Sequence, residues 1–231
     1  MIDYTQVRAV LFDVGQTLLY PDLPFLQKLL AEYRVQTDLT ILSRGGAIAR
    51  ERVSRSNGNE KNHKGFFGFW MKWVGAADDH IPELLAKIYE RHQREHLWSW
   101  LDPEAKATLD TLHSRGYRLG IISNADGQIE SAMTKLDIAQ YFGVIIDSAI
   151  VGVEKPDERI FAMALEKLQL PGSACVYIGD NYDNDVLGAR NAGLSPLLID
   201  PFDVVAENDV DRIHRLGDLL EFLPDRSTRA T

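Results

Sequence analysis

The sequence predicts an α/β protein: a doubly wound parallel sheet of five strands, Rossmann-like, with an α-helical cap domain inserted after the first strand. Three observations predict it. Short apolar runs that end in small or polar residues alternate with amphipathic stretches along most of the chain. One interval, 20–102, breaks that alternation and shows helical spacing instead. The composition, 45% hydrophobic and 26% charged over 231 residues, is that of a globular chain able to bury a sizeable core.

In order, the first strand is expected in VRAVLFD (7–13). The inserted interval has no convincing strand. Its apolar residues fall at helical spacing in LPFLQKLLAEY (23–33), LTILSRGGAIARERV (39–53) and PELLAKIYERHQREHL (82–97). The Gly- and Asn-rich SNGNEKNHKG (56–65) lies between the second and third of these. In GFFGFWMKWVG (65–75), Phe66, Trp70 and Trp73 stand near helical spacing and are read as packing of the insertion. The alternation then resumes. EAKATLDTLHSRG (104–116) reads as a helix stopped by Gly116, followed by strands in RLGIISN (118–124) and GVIID (143–147). DERIFAMALEKL (157–168) is a helix, ACVYIGD (174–180) a strand, NDVLGARNAG (184–193) a helix and PLLID (196–200) the fifth strand. The expected domains are a core made of 1–19 and 103–231, and a cap made of 20–102.

Charge and composition exclude several functions. With 25 Lys and Arg against 34 Asp and Glu, the chain carries a formal net charge of -9, whose field repels nucleic acid and anionic membrane surfaces. The single cysteine, Cys175, forms neither an internal disulfide nor a CxxC metal site and reads as a small buried hydrophobe. There is no signal-peptide pattern and no apolar run near the ~18 residues that a membrane span requires, so a cytoplasmic location is expected. No Walker A or GxGxxG pattern argues for a nucleotide cofactor. No signal specifies an oligomeric state.

In a parallel sheet, residues just beyond the carboxyl ends of neighbouring strands converge on one crevice. The first strand delivers Asp13 there, and the second delivers Ser123 and Asn124. Lys155 follows the third in GVEKPD, and the fourth delivers Asp180 and Asp185 in GDNYDND. Each alone has an ordinary reading as a turn, cap or solvated residue. Together they supply carboxylates, a hydroxyl and an ammonium to one small volume, as a hydrolytic site requires.

The order and spacing of these residues resemble the haloacid dehalogenase superfamily of aspartate-nucleophile hydrolases over nearly the whole chain. FDVGQTLL is similar to that family's first motif, IISN to its second, EKP to its third and GDNYDNDVLGARNAG to its fourth. The resemblance implies that Asp13 is the nucleophile of a phosphatase of small phosphorylated or otherwise anionic metabolites. It also implies that Mg²⁺ is held by Asp13, the Gly15 carbonyl, Asp180 and Asp185. Ser123, Asn124 and Lys155 would meet the phosphoryl group, with the backbone N–H groups after Ser123 helping at a helix amino terminus. Hard oxygen donors suit Mg²⁺, and a carboxylate is ionised at neutral pH without a base to activate it. The three aspartates sum to −3, which Mg²⁺ and Lys155 together neutralise.

One departure matters. Most phosphatases of this family carry a second aspartate, an acid/base, two residues after the nucleophile, where this chain has Gly15. An acid/base typically contributes ~10²–10⁴-fold to rate. The amide of neighbouring Gln16 does not exchange protons near pH 7 and is no replacement. A phosphatase that is slow, or whose acid/base is replaced by Glu60, Lys61, His63 or Lys64 of the insertion, is the leading expectation, a solvated loop being the ordinary reading of those four residues. The alternatives are a dehalogenase or phosphonatase that uses the same aspartate, and a catalytically impaired metal- or ligand-binding regulatory protein. Elsewhere in the insertion, Arg44, Arg50, Arg52, Arg55, Lys61 and Lys64 stand against Glu51 and Glu60, a local excess that suits either a solvated helix face or anion steering. His92 and His96 are spaced as zinc pairs are, but Gln93 replaces the catalytic glutamate of HExxH, so an exposed helix face is expected.

Overall fold

The computed structural model describes residues 3–56 and 63–226. Its backbone divides into two compact units. One comprises Met1–Leu19, Leu101–Pro201 and Ala206–Thr231; the other comprises Tyr20–Trp100 and Phe202–Val205.

The first unit is an α/β sandwich. Its strands, in chain order, are β1 (Ala9–Phe12), then, after a two-stranded ribbon of β2 (Leu19–Pro21) and β3 (Trp98–Leu101), β4 (Arg118–Ser123), β5 (Phe142–Asp147), β6 (Cys175–Gly179), β7 (Ser195–Ile199) and β8 (Asp211–Ile213). The main sheet has the order β5-β4-β1-β6-β7-β8, with every neighbouring pair parallel. Successive side chains of a strand point to opposite faces. Val10, Phe12, Leu119, Ile121, Val176 and Ile178 therefore join one buried cluster, and Ala9, Leu11, Ile122, Val144, Cys175 and Tyr177 join another. This two-sided burial explains why the strands read as continuous apolar runs.

Two strand expectations need correction. The sheet has six strands rather than five, because β8 pairs with β7 through Leu197–Asp211, Leu198–Arg212 and Ile199–Ile213. Its three residues are Asp, Arg and Ile, and only Ile213 is buried, so an edge strand of this length leaves no apolar run to read. The interval 20–102 also contains strand, at the ribbon of β2 and β3, where the chain leaves one unit and returns to it.

In the helical unit, α1 (Leu23–Glu32) and α2 (Leu39–Ser54) start at Asp22 and Asp38, whose carboxylates accept the N–H groups of Phe25 and Ile41. They are followed by α3 (His63–Trp73) and α4 (Ile81–Arg94). Leu26, Leu30, Leu42, Phe66, Trp70, Met71, Leu84 and Ile88 build its core. Phe66 and Trp70 thus take the packing role read from the sequence, while Trp73 is exposed.

The helices of the α/β unit are α5 (Ala105–Ser114), α6 (Ile129–Lys135), α7 (Ser148–Val151), α8 (Glu158–Leu168), α9 (Gly188–Asn191) and α10 (Leu219–Phe222). Beyond α5 the chain turns at Gly116, whose φ of 82° a side chain would strain. The stretch expected as one helix over 184–193 instead begins as a π-helical turn, Tyr182–Leu187, that passes into α9. Such turns recur at functional sites.

Candidate active site

Strand register assembles the site. Phe12 of β1 lies level with Ile121 of β4 and Ile178 of β6, and the Asp13 N–H continues the ladder to the Ile178 carbonyl at 2.8 Å. Asp13 follows one residue further along β1, and Ser123 and Asp180 follow two residues further along β4 and β6, so the three emerge within one residue step of each other at the carboxyl edge. The sheet is built outward in opposite directions on either side of β1, which makes the carboxyl end of β1 the topological switch point where ligands of open α/β sheets bind.

Asp13, Ser123, Lys155 and Asp185 are all buried there, and Asp180 is half-buried. Lys155 Nζ donates to Asp13 Oδ1 at 2.6 Å, to Asp185 Oδ1 at 2.7 Å and to the Tyr177 hydroxyl at 2.9 Å. Ser123 Oγ donates to Asp13 Oδ1 at 3.1 Å. Burial by itself would push the Lys155 ammonium towards neutrality. The Asp13 and Asp185 charges, and the hydrogen bonds to both, outweigh it, and its pKa is raised. Burial pushes the Asp185 carboxyl up; Lys155 pulls it down, Asp13 pushes it up again, and the balance is a raised pKa.

Asp185 is held on its other side as well, where its Oδ2 accepts the Asn181 N–H at 2.9 Å. The close fit depends on Gly179, because a Cβ at that position would lie 2.3 Å from Asp185 Oδ2. Asp13, Asp180 and Asp185 bring carboxylate oxygens within 4.8 Å of one another. Three anionic oxygen donors with one lysine among them form a donor set of net charge −2, which fits a hard divalent cation in both chemistry and charge.

Two expectations about the phosphoryl cradle change. The Asn124 side chain is committed to the Lys155 backbone: its Oδ1 accepts the Lys155 N–H at 2.7 Å and its Nδ2 donates to the Lys155 carbonyl at 3.0 Å. Its side chain fixes the loop that carries the lysine. Several backbone N–H groups after Ser123 are already taken: those of Gly127 and Ile129 go to the Asp147 carboxylate and that of Ala125 goes to Ser148 Oγ.

Next to the nucleophile candidate, Gly15 presents no side chain, while Gln16 is buried with a left-handed φ of 58°. Gln16 Nε2 has no hydrogen-bond partner among the described residues. A buried, unsatisfied donor costs about 1–3 kcal/mol, and the left-handed conformation of a non-glycine residue adds a similar cost. Both fall three residues from Asp13.

Several of the remaining sequence candidates make local contacts. The Arg52 guanidinium lies 4.7 Å from the centre of the Phe69 ring, Arg50 lies 5.3 Å from that of Phe66, and Arg55 pairs with Glu51 one turn away. His92 and His96 are half-buried rather than on an exposed helix face, with rings 4.9 Å apart, and His92 Nδ1 accepts the Leu97 N–H beyond the end of α4. Lys64 is exposed, whereas Glu60, Lys61 and the His63 side chain lie outside the described residues. Sequence reasoning missed Tyr177, which looks like one more core aromatic in ACVYIGD. The available signal was its hydroxyl, which needs a partner when buried.

A parallel sheet that gathers carboxylates, a hydroxyl and an ammonium at its switch point has the layout of an aspartate-centred hydrolase, and comparison with known proteins assigns the same class. Residues 7–193 match the model of the haloacid dehalogenase-like hydrolases, and the chain belongs to that family. It is 27% identical over 235 residues to haloacid dehalogenase-like hydrolase domain-containing protein 3 of Bos taurus, across 95% of this chain and 93% of the relative. It is 32% identical over 208 residues to a glyceraldehyde 3-phosphate phosphatase of Methanothermobacter thermautotrophicus, across 88% and 90% of the two chains. Among solved structures, a HAD phosphatase from Thermococcus onnurineus matches its fold with a TM-score of 0.64, at 24% identity over 96% of this chain and 100% of that one. No helix among the described residues is long and apolar enough to cross a membrane.

Proposed function

We propose that this hydrolase is a Mg²⁺-dependent phosphatase of a small phosphorylated metabolite, acting through an aspartyl-phosphate at Asp13. The observation that carries the reading is the close approach of Asp13, Asp180 and Asp185 around a buried lysine. The phosphatase name of the archaeal relative supports it. Asp13, the Gly15 carbonyl and Asp180 would hold the cation. Both Asp185 oxygens already accept hydrogen bonds, so Asp185 would serve as ligand or as anchor for metal-bound water. When bound, the ion neutralises charge on the phosphoryl oxygens and on the carboxylates around them.

Asp13 Oδ1 accepts from both Ser123 and Lys155, which leaves Oδ2 without a hydrogen bond among the described residues. In the first step one Asp13 oxygen forms a bond to phosphorus as the ester P–O bond breaks, and the leaving oxygen takes a proton from water. In the second step water attacks phosphorus and releases inorganic phosphate and the Asp13 carboxylate. Lys155 offsets the charge that gathers on the phosphoryl group, and Ser123 is placed to donate to one of its oxygens. The inserted helical unit, as a cap, would select the substrate. Cytoplasmic location remains part of this reading.

The test is a panel of phosphomonoesters with and without Mg²⁺, run beside Asp13→Asn. Mg²⁺-dependent release of phosphate that is lost in Asp13→Asn is expected. Turnover that survives the substitution refutes the nucleophile. Gly15, which offers no carboxyl group, favours a second reading, attack by the same aspartate on a carbon centre or a phosphonate. Activity on 2-haloacids or phosphonates, with none on phosphomonoesters, would establish it.

A further inference from the structure

Tyr177 belongs to no motif discussed above, yet its hydroxyl lies at the centre of the buried charges. An ammonium has three N–H donors, and those of Lys155 meet three acceptors: Asp13, Asp185 and the Tyr177 hydroxyl. The hydroxyl's own proton goes to the Ile122 carbonyl at 2.8 Å, so the oxygen faces the lysine as an acceptor. Its contact with Asp185 Oδ1, at 3.4 Å, is the longer alternative for that single proton. The ring has no freedom to drift. It is fully buried, with Phe161 edge-on at 5.1 Å, and its anchor, Ile122, immediately precedes Ser123.

We propose that Tyr177 is a positioning residue for the phosphoryl transfer, its hydroxyl being the neutral third acceptor that fixes the Lys155 ammonium between Asp13 and Asp185. This rests on the metal-dependent reading above. A carboxylate in that place would add a fourth negative charge to the site, whereas a hydroxyl completes the lysine's coordination without changing the charge. Remove it, and among the described residues the acceptors left to the ammonium are the two carboxylates. It then settles more closely on the oxygens that a divalent cation needs.

Calorimetric titration with MgCl₂ alone tests this on four full-length proteins: the parent, Tyr177→Phe, Lys155→Met and the double variant, each checked for folding by thermal denaturation. Tyr177→Phe is expected to weaken Mg²⁺ binding by about tenfold, the lower end of the effect of groups that orient metal ligands. Adding the same change to Lys155→Met should alter binding less than about twofold, since the group being positioned is gone. Equal affinity in the parent and Tyr177→Phe overturns the proposal, as does an equal loss in both backgrounds, which would mark a merely structural role. No binding to the folded parent would remove the metal site and this inference together, an outcome distinct from both. If Lys155→Met does not fold, turnover of Tyr177→Phe provides the second measurement. At subsaturating Mg²⁺, apparent kcat should fall by up to about tenfold and recover as MgCl₂ is raised, with KM for the phosphomonoester within about twofold, because Tyr177 touches no substrate. A raised KM with unchanged kcat would refute it.

Discussion

Replacing Lys155 by methionine would keep most of the side-chain volume and remove the one buried positive charge of the site. Asp13, Asp180 and Asp185 would then face one another with oxygens within 4.8 Å. At an effective dielectric near 20, each ionised pair repels by about 3.5 kcal/mol or more at that separation. The carboxylates escape part of this by taking up protons, which limits the penalty to the range of a broken buried ion pair, about 3–5 kcal/mol. For a chain of this size that lowers the midpoint of the α/β unit by about 6–20 °C in metal-free buffer. The sign of the pH dependence follows. The Asp185 pKa is already raised and would rise further without the lysine, so above the ordinary carboxylate value the folded state binds more protons than the unfolded one. Stability should therefore fall as pH rises and recover on acidification from neutral pH towards 5. Mg²⁺ should stabilise Lys155→Met more than the parent, since it replaces the missing charge. Differential scanning calorimetry at several pH values, with MgCl₂ or EDTA, reads all of this. A metal-free Lys155→Met protein as stable as the parent, with no extra gain from Mg²⁺, would refute the counter-charge argument.

Four further outcomes are expected. Gly179→Ala should displace Asp185 and weaken Mg²⁺ binding by about tenfold or more in titration calorimetry, because its Cβ would lie 2.3 Å from Asp185 Oδ2; unchanged affinity would show that the carboxylate can retreat at no cost. Cys175 is fully buried and its thiol is pushed up to about 11 by that burial, so thiol-reactive dye at pH 8 should label it only as fast as the protein opens. Above about pH 9 the unfolded thiol loses its proton before the folded one, so this group subtracts stability as pH climbs towards 11, and denaturant midpoints measured across that interval should fall. Gly15→Asp should raise kcat on alkyl phosphates, whose leaving groups gain most from an acid, and leave kcat on nitrophenyl phosphate nearly unchanged; equal effects on both would mean that protonation of the leaving group does not limit turnover.

Much of this architecture is legible in the sequence because burial on both faces writes each central strand as an unbroken apolar run. Ala9–Phe12, Arg118–Ser123 and Cys175–Gly179 could thus be found, and with them Asp13, Ser123 and Asp180 at their ends. The strand Asp211–Ile213 was not legible because a three-residue edge buries one side chain. The ribbon at Leu19–Pro21 and Trp98–Leu101 was hidden for a related reason: it is short and only partly buried, so it leaves little alternation.

The linear order of residues was enough to establish the α/β class, the helical insertion and the set of groups brought to the crevice, since all of these follow from periodicity and from what stands at strand ends. Only the tertiary structure decided how those groups divide the work. It turned the Asn124 side chain onto the Lys155 backbone, committed the Gly127 N–H to Asp147 and gave the third lysine proton to Tyr177. Hydrogen bonds between residues 20 to 142 positions apart depend on where side chains meet in space, and no spacing along the chain encodes that.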